Sequence, residues 1–235
     1  MKQRHKLSSF NRQEAVIGYI FSSPWIIGFI LFTMIPFIQS IRFSFMDYNI
    51  LQTPKWIGCK NYIDMVNDPI FWKSLGNTFY YVIFSVPLSI VIGLFIALLL
   101  NMDIKGMSIY RTLYYMPSIV PTVASSILWL WMFNPNFGIL TNFVEALGFE
   151  APAWLADPKW AKPSLIFMSL WGAGGGMIIY LAGLKNIPNV YYEAAELDGA
   201  GWWKKFAHIT LPMLSPTLFF QLIMGMIGAF QVFTQ

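Results

Sequence analysis

Apolar residues in this chain run in long blocks, and polar and charged residues collect between them. Neither the two-residue alternation of a half-buried strand nor the narrow apolar stripe of a soluble amphipathic helix dominates. A window of about 20 residues, the length of helix that crosses a hydrocarbon core, finds five apolar segments. They fall at 17–38, 79–100, 113–133, 164–184 and 214–233. The pattern predicts an all-α polytopic membrane protein. The first segment is too long for a signal peptide and lacks a small-residue cleavage site, so it stays in the membrane. Residues 1–14 precede it as a polar N-terminus, and 15–235 form one membrane domain.

Composition agrees with this pattern. The chain is 57% hydrophobic and only 11% charged, where a soluble domain carries about 25% charged residues. One cysteine, Cys59, excludes a disulfide framework and a Cys-based metal centre. Lys2, Arg4, Lys6, Arg12, Lys105, Arg111, Lys185, Lys204 and Lys205 all fall on one side of the five segments. The other side holds fewer, in longer loops, so the positive-inside rule puts the N-terminus in the cytoplasm of a plasma-membrane protein. Of the ten tryptophans, nine are near segment ends or in loops, as in an interfacial belt. Residues 134–163 form an extracytoplasmic loop with a short helix.

The stretch "EAAELDGAGWWKKFAHITLP" interrupts the oil with three acids, two lysines and a histidine. Helix-forming residues predict a short helix over 190–197, closed by Asp198 and Gly199, and a second helix ended by Pro212. Trp202, Phe206 and Ile209 share one face of that second helix and would hold it against the membrane segments. Lys204, Lys205 and His208 are read as solvated or headgroup-facing. A hairpin lying on lipid headgroups is the alternative for the whole stretch.

Its spacing is more specific. Glu193, Ala194 and Ala195, then Gly199, then Ile209, Leu211 and Pro212 resemble the EAA loop of binding-protein-dependent ABC importers. Stretches such as "YRTLYYMPSIVPTVASSILWLWMFNPNFGILTNF" and "LAGLKNIPNVYYEAAELDGA" extend the likeness to sugar permeases of the carbohydrate-uptake family, the first of the two permease partners. The resemblance implies a type I ABC importer transmembrane domain of six core spans. The chain ends at Gln235, so five of the six are expected within it. The implied partners are a second permease, two ATP-binding subunits that hold ATP and Mg, an extracytoplasmic solute-binding protein and membrane lipid. No cofactor of its own and no nucleic acid are implied. Segment 185–212 would couple to the ATPases, with Glu193 and Asp198 as polar anchors and Ala194 and Ala195 allowing close approach. Gly199 would set the turn, where bulk should break coupling, and Ile209, Leu211 and Pro212 complete the motif.

Candidate chemistry is sparse. No Asp, Glu, Lys, Arg or His falls inside the five segments, which suits a neutral polyhydroxylated solute and disfavours an ion-coupled carrier. No phosphate-binding GxxxxGK[ST] loop, HExxH or intramembrane carboxylate pair is present, so neither an ATPase nor an intramembrane enzyme is expected and no catalytic or metal-binding residue is assigned. "SLWGAGGGMIIYLAGL" crowds Gly172, Gly174, Gly175 and Gly176 near mid-bilayer. They either allow close helix packing or break the helix beside a water-lined cavity. By the resemblance, Ser169, Trp171, Gly172, Gly176 and Gln231 line the solute path, Trp171 stacking on a sugar and Ser169 and Gln231 hydrogen-bonding it. A glycerol phosphate or polyol cargo is the alternative.

Overall fold

The computed structural model describes residues 9–49, 53–102 and 104–232. Lys2, Arg4, Lys6 and the predicted last residue of the fifth segment, Phe233, lie outside them. The chain divides into two units, 1–72 and 73–235.

In the first unit, α1 (Ser9–Phe29) continues through a five-residue π turn (Ile30–Met34) into α2 (Ile35–Ser44). Pro36 follows that turn by two residues. A proline ring inside an α-helix clashes with the carbonyl four residues back and lacks an N–H. A π turn offsets that carbonyl and lets the helix continue. A short antiparallel ladder then pairs β1 (Met46–Asp47) with β2 (Lys55–Trp56). Asn61, in α3 (Lys60–Asn67), ties the ladder to α2 by donating to the Ser44 and Met46 carbonyls, both at 3.0 Å. Asp68 accepts from the Ile70 amide at 2.8 Å. With Pro69 at the first helical position, this starts the 32-residue helix α4 (Pro69–Leu100).

The second unit holds most of α4, then α5 (Met107–Ile119), α6 (Thr122–Met132) and α7 (Ile139–Ala146). It continues with α8 (Ala161–Leu170), a 3₁₀ turn (Trp171–Ala173) and α9 (Gly174–Lys185). The third predicted segment is not one straight helix, because α5 and α6 meet at 94°. The break follows from Pro121: pre-proline sterics hold Val120 extended (ψ 129°), and Pro121 itself is extended (ψ 137°). The predicted helix in 134–163 is α7.

Core packing centres on α9. Met177, Tyr180, Leu181 and Leu184 join Leu94, Ala97 and Leu100 of α4, with Ile187 and Leu214. Close approach depends on small residues. A Cβ on Gly93 would lie 3.0 Å from the Tyr180 ring, and one on Gly174 would overlap the Tyr114 carbonyl of α5. The glycine run therefore does not break the span. It tightens into the 3₁₀ turn, with Gly174 packed and open space beside Gly172. Trp129, expected in the interfacial belt, is instead 5% exposed, stacked on Phe133 at 5.3 Å and edge-on to Trp171 at 5.1 Å.

Gly174→Ala should destabilise the chain by about 1–3 kcal/mol, since the new methyl meets backbone that has no rotamer to change. Gly172→Ala should be neutral or slightly stabilising. Apparent melting temperatures of the two detergent-purified variants check this, and equal temperatures would contradict it.

Candidate functional site

The polar stretch folds as α10 (Asn189–Leu197), a glycine turn and α11 (Trp202–Lys205). Gly199, at φ +73°, donates its N–H to the Glu196 carbonyl at 3.0 Å, and Ala200 donates to Ala195 at 2.8 Å. This pair of bonds is the Schellman closure, and its left-handed residue is the reason for a glycine there. No atom crowds Gly199, so what disfavours a larger residue is backbone strain and not lack of room.

After α11 the chain does not stop at Pro212, as its sequence suggested. A second π turn (Phe206–Thr210) leads into α12 (Leu211–Phe230), giving one helix from Trp202 to Phe230. The relation to proline repeats that at Pro36: the π turn ends two residues before the ring. Two contacts hold α10 against this helix. Tyr192 hydroxyl and Thr210 Oγ1 are 2.9 Å apart, and Lys205 Nζ lies 2.6 Å from Glu196 Oε1. Lys205 is thus an ion-pair member, unlike the solvated lysine expected. The pair is partly exposed, so it orients the helices more than it stabilises them.

Phe206 and Ile209 pack on the α4–α9 core, as expected. Trp202 stays exposed but stacks on Phe206 at 5.5 Å. Glu193, Ala194, Asp198, Leu211 and Pro212 are exposed, and Ala195 is half-buried. Apolar side chains stand out beside them: Leu197 is 90% exposed and Trp203 72%. Sequence reading missed Leu197, although a leucine in the last turn before a glycine closure is a signal for it.

At the other end of the long helix lies a cavity of about 350 Å³ between α4, α8–α9 and α12. Ser169, Gly172 and Gly176 line it, joined by Tyr81, Ser85 and Gln221. The Tyr81 hydroxyl lies near Ser85 and Ser169, and that of Tyr180 near Gln221. Among the described residues no Asp, Glu, Lys, Arg or His lines it. Gln231 is not on its wall: it caps α12 and is exposed, while Gln221, ten residues earlier, takes the inward position. A lone glutamine within "PTLFFQLIMG" was the available signal. Trp171 does not line this cavity but a smaller one of about 220 Å³ beyond Ser169 and Gly172, and its ring lies edge-on to Trp129.

Residues 71–234 match the model of the family described as binding-protein-dependent transport system inner membrane component. The chain belongs to this permease family. The permease is 45% identical to the probable ABC transporter permease protein YesP of Bacillus subtilis, over 97% of its own length and 75% of the relative's. It is 36% identical to the lactose transport system permease protein LacF of Rhizobium radiobacter, over 97% and 77%. A crystal structure of a bacterial ABC transporter that imports the acidic polysaccharide alginate superposes with a TM-score of 0.81 at 25% identity, covering 94% of the permease and 75% of that chain. The permease is thus a multi-pass inner-membrane component of a binding-protein-dependent transporter and not an enzyme.

Gly199→Ala should impose about 1–2 kcal/mol of left-handed strain and speed amide exchange at Gly199 and Ala200 roughly tenfold. Gly201→Ala, at an ordinary φ of −70°, should leave exchange unchanged, and Gly199→Asn should fall between. Identical exchange in the Gly199 and Gly201 variants would contradict the assignment.

Proposed function

We propose that the permease is the first of two permease partners in an ATP-driven importer of a neutral sugar or oligosaccharide. The observation that carries the reading is the continuity of the helix Trp202–Phe230. One end bears the EAA segment. The other lines the cavity with Gln221, Gly225 and Gly228. A displacement at the segment is therefore delivered to the cavity wall without crossing a flexible joint.

In this mechanism two ATP-binding subunits grip α10 and α11 from the cytoplasm. Glu193 and Asp198 provide exposed charges for that contact. Leu197 and Trp203 provide exposed apolar surface of the kind that marks a protein interface. Ala194 and Ala195 leave room for close approach. Ile209, Leu211 and Pro212 carry the movement into the span. An extracytoplasmic binding protein delivers solute to the opposite side, and a second permease completes the path.

The lining chemistry favours a neutral, hydroxylated solute. Tyr81, Ser85, Ser169 and Gln221 offer donors and acceptors without charge. An anionic cargo such as a glycerol phosphate would need a cation there. The name of the lactose relative supports a sugar. Trp171, Gly172 and the smaller cavity extend the lining beyond the first site.

Proteoliposomes holding the permease with its partner subunits and binding protein test this reading. Labelled sugar should accumulate with internal or external ATP as the subunits' orientation dictates, unaffected by a protonophore. Tyr81→Phe and Gln221→Leu should each lower uptake about tenfold, the effect of a lost buried hydrogen bond. Gln231→Leu should stay near the parent. Uptake driven by an ion gradient, or of glycerol phosphate in preference to sugar, would overturn the proposal.

A further inference from the structure

Arg111, in the first turns of α5, is half-buried and has no ion pair among the described residues. Its Nη2 donates to the Leu100 carbonyl at 2.9 Å. That bond caps the C-terminus of α4, where the helix dipole favours a cation. Its Nε is buried with no partner. Among the described residues the one ion pair is Lys205–Glu196, so none of their carboxylates neutralises Arg111. Lys185, the last residue of α9, stands equally alone.

Both cations line one groove of about 350 Å³ between α5 and α9. Its polar rim includes Ser108, and its wall is apolar, from Met177, Ile178 and Leu181. Ile178 is 48% exposed. The groove is at a defined depth: Leu100 ends a helix of 32 residues, and Lys185 ends a span of 25. Helix ends of spans that long reach the headgroup layer. There a desolvated guanidinium is costly unless an anion joins it.

We propose that this groove holds a phospholipid, with its phosphodiester between Arg111 and Lys185 and an acyl chain along the exposed Ile178, over the buried Met177 and Leu181. A free phosphate would satisfy the cations but leave Ile178, the exposed part of the apolar wall, uncovered. Two positive charges against one phosphate also select an anionic headgroup such as phosphatidylglycerol. The site adjoins the coupling segment, since only Asn186, Ile187 and Pro188 separate Lys185 from α10.

Native mass spectrometry tests the proposal on the permease purified with its partner subunits and reconstituted in mixed phosphatidylcholine and phosphatidylglycerol. Lys185→Gln should lower retained phosphatidylglycerol about fivefold, and Arg111→Gln with Lys185→Gln about tenfold or more. Lys159→Gln, in the segment before α8, should change nothing. Excess inorganic phosphate should leave the lipid in place. The Lys185 side chain makes no hydrogen bond among the described residues, so its variant decides the question if loss of the Arg111 cap impairs folding. Undiminished phosphatidylglycerol in Lys185→Gln, or its displacement by inorganic phosphate, would overturn the site.

Discussion

Pro212 sits where the polar EAA segment meets an apolar span, and an ordinary α-helix could not pass through it without a kink or a lost bond. The π turn from Phe206 to Thr210 removes that conflict. The carbonyl that the ring would strike, that of His208, lies inside the widened turn. The connection between the EAA segment and the cavity depends on this accommodation and on α12 continuing past Pro216. If the helix stopped at Pro212, the EAA segment and the cavity would be joined by a hinge. With the turn in place, they are two ends of one rod.

The rod is seated by packing on both of its neighbours. Phe206, Ile209 and Leu214 meet the core built around α9, and Gly183 lets Leu214 and Thr217 come close. Tyr192 and Thr210 fix α10 to the rod near the membrane, and Glu196 and Lys205 do so near the turn. The same α9 carries Gly174 against α5 and, two residues further, Gly176 at the cavity beside Gln221. Packing and cavity lining therefore share one helix, and the close contact at Gly174 fits the packing reading of a glycine run through which the span continues.

Much of this organisation was legible in the chain. Block hydropathy located every long membrane helix, because bilayer thickness imposes a length that few other structures need. The turn at Gly199 was legible because only one residue type takes its conformation cheaply. Two prolines misled in opposite ways. Pro121 breaks a segment that hydropathy treats as uniform, while Pro212 fails to break one where local rules expect it. Hydropathy does not sense backbone geometry, and helix-stop rules do not anticipate a π turn. Gln221 was passed over for Gln231 because the inward direction of a residue near a span's end depends on where the helix terminates, and that is a tertiary outcome.

Helical continuity across position 212 is the most direct measure of the account. Replacing the junction by Leu211→Gly with Pro212→Gly leaves the EAA turn and the cavity lining intact but puts a flexible joint between them. In proteoliposomes with all partners, the ratio of solute transported to ATP hydrolysed should fall about tenfold or more while hydrolysis continues. An unchanged ratio with hydrolysis intact would show that coupling does not travel along this helix, and would contradict the account.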